Sequence, residues 1–395
     1  MSAYLNEELQ DNTESQTHME EISNNTELQE INNSITPDST LTTACFDLTR
    51  FHNKSRNLNE SINNMKTLLS VPCYLVIYTD NICIDFIKEI RNSFNLDHLT
   101  HYIVTNIEDL SNYKYLDTIK SNREKYWPTR DERTSAESHF ICCSKFEFVL
   151  QTMEKNPFHT TRFGWIDANL NNNFSKISEG FNIDMLMNIL HNSSDKFHIQ
   201  ILNVNDKNYK NKEDKLEYYE RYRWVVCGCL FITGKEIGIK VLNRLNQSFI
   251  ETTILGYGHG EEMLYLEVLD EFYDDIERSY GDYGQIVNNY FYPTRNLYYI
   301  NHLIIKNYLN FYYHRECYDC CEYMLNGIEN YNVSSDENLY MDILHSYFVS
   351  SYYYKRNESL RIVNHIYDVC EKNPALKNVF NSQKEFYESQ FNLVK

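Results

Sequence analysis

Positive charge is scarce in this sequence. Its 395 residues carry 37 Lys and Arg against 56 Asp and Glu, a formal net charge of −19. That balance argues against binding along a nucleic-acid backbone, which needs a cationic surface, and against docking on an anionic membrane face. Long apolar runs are missing as well: none reaches the roughly 18–20 residues of a membrane span. The opening Met1-Ser2-Ala3-Tyr4-Leu5-Asn6-Glu7-Glu8 has neither the basic nor the apolar region of a secretory signal. The expected location is therefore cytoplasmic, with the 11 cysteines as free thiols. Three common catalytic and phosphate-binding signatures are absent: Gly-x-x-x-x-Gly-Lys-Ser/Thr, Gly-x-Ser-x-Gly and His-Glu-x-x-His. Glycine (11), proline (6) and alanine are few, while tyrosine (33), asparagine and isoleucine abound. This usage suggests an AT-rich genome, a large DNA virus or a protist. A viral source would put the protein in host cytoplasm or the virion.

What is present divides into three parts. Residues 1–40 hold nine acids, no Lys or Arg, and one aromatic, Tyr4. Such a segment cannot bury enough apolar surface to offset the entropy of ordering, and it reads as a disordered acidic tail. Residues 41–295 alternate strand-like and helix-like runs. Leu41–Phe46, Cys73–Tyr78, His101–Thr105, Phe163–Ile166, Ile199–Leu202 and Trp224–Ile232 read as strands. Leu58–Leu69, Cys83–Phe94 and residues 137–153 have helical spacing, and Glu261 is expected to open a helix running to about Tyr273. Repeated strand–helix–strand order predicts an α/β sheet flanked by helices, with ligands at the carboxyl ends of the strands. Residues 296–395 predict Tyr-rich helices over about 297–313, 315–329, 338–354, 358–371 and 377–393. They form either helical-hairpin repeats or a helical subdomain covering the sheet. They are expected to serve an acceptor, a partner or a second copy in a homo-oligomer.

Two segments carry candidate chemistry. In Trp165-Ile166-Asp167-Ala168-Asn169 a carboxylate follows a buried strand. Asp167 either caps the next turn or presents a fixed oxygen to a hard cation bridging a diphosphate, with Asn169 adding a neutral oxygen. In Gly256-Tyr257-Gly258-His259-Gly260-Glu261-Glu262, three of the 11 glycines fall within five residues, so the backbone there can turn sharply or approach a ligand. Glu261 and Glu262 are either first-turn acids favoured by the helix dipole or include a general base that orients an acceptor. Cys317-x-x-Cys320-Cys321 begins a zinc spacing, but no second pair follows, and these thiols read as helix packing.

Thr43-Ala44-Cys45-Phe46-Asp47-Leu48-Thr49-Arg50 resembles the opening of the HtrL/YibB (WlaTC) family of proposed glycosyltransferases. So does Val71-Pro72-Cys73-Tyr74-Leu75-Val76-Ile77-Tyr78-Thr79-Asp80. Ser144-Lys145-Phe146, Asn156-Pro157-Phe158 and Phe163-Gly164-Trp165-Ile166-Asp167-Ala168 follow in that family's order and spacing, then Cys227-Gly228-Cys229-Leu230-Phe231-Ile232-Thr233-Gly234. The resemblance covers roughly residues 41–295. Asn169 stands where the family tends to have Gly, and Cys227 where it tends to have Ala or Gly.

The resemblance implies a GT-A-like, nucleotide-sugar-binding α/β sheet with an α-helical region appended. It implies sugar transfer from a nucleotide-diphosphate donor to a glycan or protein acceptor, assisted by Mn²⁺ or Mg²⁺. Asp167 would hold the metal, directly or through water, with Asn169 beside it and His259 as a further ligand. Asp47, Arg50 and Asp80 would meet the nucleotide, and Lys145 either pairs with the diphosphate or is a solvated helix lysine. A catalytically inert adaptor acting through the C-terminal helices is the chief alternative. A nucleotidyltransferase is the third.

Overall fold

The computed structural model describes residues 37–51, 57–126, 134–168, 182–204, 207, 215–220, 224–282, 285–293, 298–333, 335–381 and 385–389. The acidic tail up to residue 36 and Asn169 lie outside them.

The apolar runs become strands because both of their faces find helices. Seven strands form one sheet: β1 (Ser39–Cys45), β2 (Tyr74–Thr79), β3 (Thr100–Val104), β4 (Arg162–Ile166), β5 (Phe197–Ile201), β6 (Val226–Gly234) and β7 (Ile276–Tyr280), in spatial order β3-β2-β1-β4-β6-β5-β7. β1 to β4 run parallel, β6 is antiparallel to both its neighbours, and β5 and β7 are parallel. The sheet is therefore mixed.

Two-residue periodicity sends alternate side chains to opposite faces. Leu75 and Ile77 join Leu41, Ile166, Leu230 and Ile232 on one side, while Val76 and Tyr78 join Phe163, Trp165 and Phe231 on the other. The first side is covered by α1 (Leu58–Leu69), α2 (Ile84–Ser93) and α5 (Ile183–Asn192). The second is covered by α3 (Leu116–Lys125), α4 (Ala136–Lys155), α7 (Lys235–Leu255) and α8 (Tyr265–Glu271); α6 (Lys215–Glu220) adds Tyr218 and Tyr219 there. Local chemistry fixes the helix ends. Asn57 caps α1 by accepting from the Glu60 amide, and Ser135 and Ser138 form a reciprocal capping box at α4. α7 stops at Gly256, whose φ of 119° an L side chain rarely adopts.

The C-terminal part is helical: α9 (Tyr298–Asn310), α10 (His314–Asn330), α11 (Glu337–Tyr354), α12 (Ser359–Lys372) and α13 (Pro374–Asn381). These helices share the second side's apolar cluster, through Ile305, Cys317, Cys321, Met341, Phe348 and Ile362. Ser39–Lys395 forms one compact unit. Among the described residues no helix is long and apolar enough to cross a membrane. None of the 11 cysteines forms a disulfide, and Cys317, Cys320 and Cys321 are buried.

Candidate functional site

The parallel strands β1, β2 and β4 point their carboxyl ends to one edge of the sheet, and the amino end of the antiparallel β6 reaches the same edge. Asp47, Asp80 and Asp167 leave the sheet there. The Asp167 amide donates to the Cys229 carbonyl at 2.8 Å, which ties the exit of β4 to β6.

The edge gains a buried cation from α4. Lys145 is 1% exposed, and its ammonium donates to Glu261 Oε1 at 2.6 Å and to the Gly228 carbonyl at 3.0 Å. Asp167 Oδ1 lies 3.7 Å from the same nitrogen. Burial alone would push Lys145 toward the neutral amine, but Glu261 and Asp167 more than reverse this, so its pKa stands well above the ordinary value. Lys145 is thus a charged ammonium at neutral pH. Trp165 completes the arrangement: its indole donates to Asp167 Oδ1 at 2.6 Å, and Lys145 sits 5.5 Å from the ring centroid. Gly228 lets the groups meet, since a Cβ there would lie 2.8 Å from Glu261 Oε1 and 3.3 Å from Lys145 Nζ.

The structure thus brings together three of the residues singled out from sequence: Lys145, Asp167 and Glu261. Glu262 is buried next to Glu261 in a short 3₁₀ turn, Glu261–Leu264, and the regular helix begins only at Tyr265. Trp165 and Gly228 were not singled out. A signal for Trp165 was available, because strand alternation puts residues 165 and 167 on the same face.

The other candidates have different surroundings. Asp80 is nearly buried, and its carboxylate accepts from three backbone amides: Asp47 at 2.7 Å, Ile82 at 3.0 Å and Cys83 at 2.9 Å. It binds the exits of β1 and β2 to each other. Asp47 accepts from the amide and hydroxyl of Thr49. Arg50 pairs with Glu108 at 2.9 Å and lies over the Phe51 ring, in an exposed contact of the kind that contributes little to stability.

His259 is turned toward α3. Its Nε2 lies against the Tyr126 carbonyl, so that nitrogen carries the proton and donates, leaving Nδ1 to face Arg123 at 3.4 Å. Burial, then the Arg123 charge, holds its pKa at about 4. In this arrangement both ring nitrogens are engaged and no lone pair is left for a cation. The glycine loop around it is held by Asn122, which donates to the Thr253 and Tyr257 carbonyls at 2.8 Å each.

Among the described residues no group of three His, Cys, Asp or Glu side chains is placed to hold a metal ion. Asp167 fits the chemistry of a hard cation: its side chain is 28% exposed, and both its polar contacts fall on one oxygen, Oδ1.

The family model HtrL_YibB, described as a bacterial protein of unknown function, matches residues 37–255, more than half of the chain. The chain belongs to that family. No match to a curated protein was found. Among solved structures the chain is similar to the apo form of mouse xyloside xylosyltransferase 1, with 9% identity and a TM-score of 0.31, over 61% of this chain and 84% of that one.

Proposed function

We propose that this member of the HtrL/YibB family is a glycosyltransferase of GT-A type. It moves a sugar from a nucleotide-diphosphate donor to a glycan or protein acceptor. The supporting observation is the charged Lys145 enclosed between Asp167 and Glu261 at the edge where α/β sheets bind ligands. Cleaving the donor leaves growing negative charge on a diphosphate and growing positive charge on the anomeric carbon. A rigid arrangement of fixed charges lowers that barrier without reorganising.

In this reading Lys145 and Trp165 hold Asp167 in one orientation, and Asp167 positions the donor. Asp167 would hold Mn²⁺ or Mg²⁺, which would supply charge neutralisation for the leaving diphosphate. Glu261 or Glu262 accepts the proton of the attacking hydroxyl. The exits of β1 and β2, tied by Asp47 and Asp80, border the nucleotide.

Asp167→Asn tests the proposal because it preserves shape and removes the charge. The wild type should be stabilised by one nucleotide sugar with Mn²⁺, by roughly 2.7 kcal/mol at about 100 times the dissociation constant. The variant should fold, lose that stabilisation, and turn over at least about a hundredfold more slowly. One observation favours the inert-adaptor reading: Lys145 already finds its counter-charges inside the fold, so the cluster is electrostatically complete without a ligand. A wild type that no nucleotide sugar stabilises, with or without Mn²⁺, decides for the adaptor.

A further inference from the structure

Glu261 and Glu262 share one candidate role, acceptance of a proton, but the contacts of Glu261 point to a different one. The Lys145 ammonium is 1% exposed, so bulk water cannot stand in for a missing partner. It donates to Glu261 Oε1 at 2.6 Å and to the Gly228 carbonyl at 3.0 Å. Asp167 Oδ1, at 3.7 Å, is beyond hydrogen-bond range and acts on the ammonium by charge. Of two carboxylates in reach, Glu261 holds the cation and Asp167 does not.

The unequal sharing is built into the surrounding backbone. β6 carries no side chain where the pair meets it: a Cβ on Gly228 would lie 2.8 Å from Glu261 Oε1 and 3.3 Å from Lys145 Nζ. Glu261 opens the 3₁₀ turn Glu261–Leu264, whose Met263 and Leu264 are fully buried. Its own side chain is 10% exposed, against 28% for Asp167. The more enclosed carboxylate thus takes the ammonium, and the more open one is spared.

Asp167 depends on this division through one atom. Oδ1 accepts from the Trp165 indole at 2.6 Å, and it is also the oxygen that Lys145 approaches. Without the Glu261 charge, Asp167 is the one carboxylate left in ion-pair range of Lys145 among the described residues. A buried cation stripped of its partner is strongly destabilising, so the ammonium would close on Oδ1. There it would compete with the indole and occupy the charge that a cation or donor needs.

We propose that Glu261 is a positioning residue: by holding Lys145 against Gly228 it keeps the ammonium off Asp167 and leaves that carboxylate, oriented by Trp165, open to the donor. Its part in the reaction is played at the donor side, not at the acceptor hydroxyl. What Asp167 receives rests on the glycosyltransferase reading; the seating of Asp167 does not, and it is measured without donor.

The test uses the full-length protein labelled with ¹⁵N-tryptophan. Exchange of the Trp165 indole proton with deuterated solvent is followed by NMR, and Trp165→Phe assigns the resonance. Glu261→Gln should speed this exchange at least about tenfold, while β2 peptides keep their amide protection in exchange mass spectrometry. Adding Lys145→Met should return the rate to within about threefold of wild type, because the competing ammonium is gone. Glu261→Asp, which withdraws the carboxylate by one methylene, gives the same reading if Glu261→Gln does not fold. In a second arm UDP-, GDP- and ADP-glucose are tried in turn with Mn²⁺, and the one that stabilises the wild type should bind Glu261→Gln at least about tenfold more weakly. A general base would leave donor binding unchanged, and that result would overturn the proposal. So would unchanged indole exchange, acceleration shared by the β2 amides, or acceleration that Lys145→Met does not reverse. A wild type that none of these nucleotide sugars stabilises counts against sugar transfer, and the indole exchange then decides the role of Glu261 by itself.

Discussion

Replacing Lys145 by Met tests the electrostatic account of the strand edge most directly. Methionine keeps much of the stem and removes the ammonium that touches Glu261 at 2.6 Å and Asp167 at 3.7 Å. Two carboxylates then face each other with no intervening cation, and the Gly228 carbonyl loses its donor. Breaking a buried pair from one side costs about 3–5 kcal/mol. The partial exposure of Asp167, 28%, argues for the lower half of that range. With an unfolding entropy of about 2.1 cal/mol/K per residue, the roughly 360 residues of Ser39–Lys395 convert the loss to a fall in Tm of about 4–5 °C. The assay is calorimetry at pH 7. Adding Glu261→Gln to Lys145→Met should recover at least half of the loss, since one of the stranded charges is then gone. A Tm at pH 7 within a degree of wild type, or a double variant that recovers none of the loss, would refute the idea that the ammonium holds this edge together.

Two further outcomes follow from the same geometry. Gly228→Ala should lower stability by about 1–3 kcal/mol and disturb Lys145, because the new methyl would stand 2.8 Å from Glu261 Oε1; equilibrium denaturation measures the loss. His259, held at about pKa 4 by burial and Arg123, is neutral in the fold but takes a proton near pH 6.5 when unfolded. Its contribution is therefore complete above about pH 6.5 and is lost as pH falls toward 4, at up to about 1.4 kcal/mol per pH unit; His259→Gln should flatten the stability profile across that window.

The sheet was legible in the sequence where its strands are buried on both faces. Tyr74–Thr79 and Val226–Gly234 lie within two residues of the runs read from hydropathy, and α1 matches at both ends. β7 was missed for a physical reason. Ile276-Glu277-Arg278-Ser279-Tyr280 lies at the sheet edge with Glu277 and Arg278 half-buried, so it lacks the apolar run that marks a central strand. The reversed direction of β6 was equally invisible, because hydropathy does not encode the sense of pairing. At the candidate site the individual residues could be picked out, but not their association. Lys145 and Glu261 are 116 positions apart, and only the packing of α4 against the sheet makes them partners. Lys145 nonetheless left a trace: it sits among Phe140, Cys143, Phe146 and Val149, which are all buried, and a lysine in such company requires a counter-charge.

The position of β7 has a consequence for the protein during its synthesis. The family match ends at residue 255, but β5 has β7 as its outer neighbour, and β7 begins at Ile276. Roughly 75 residues separate the end of β5 from that partner, so at about 5–20 residues per second the ribosome leaves the outer edge of β5 open for roughly 4–15 s. During that interval Phe197, Ile199 and Ile201, all buried in the finished fold, border an unpaired edge able to pair with other nascent chains. A slow codon cluster between residues 202 and 275 would lengthen this exposure, and a chaperone that shields strand edges would matter most for this stretch of the message.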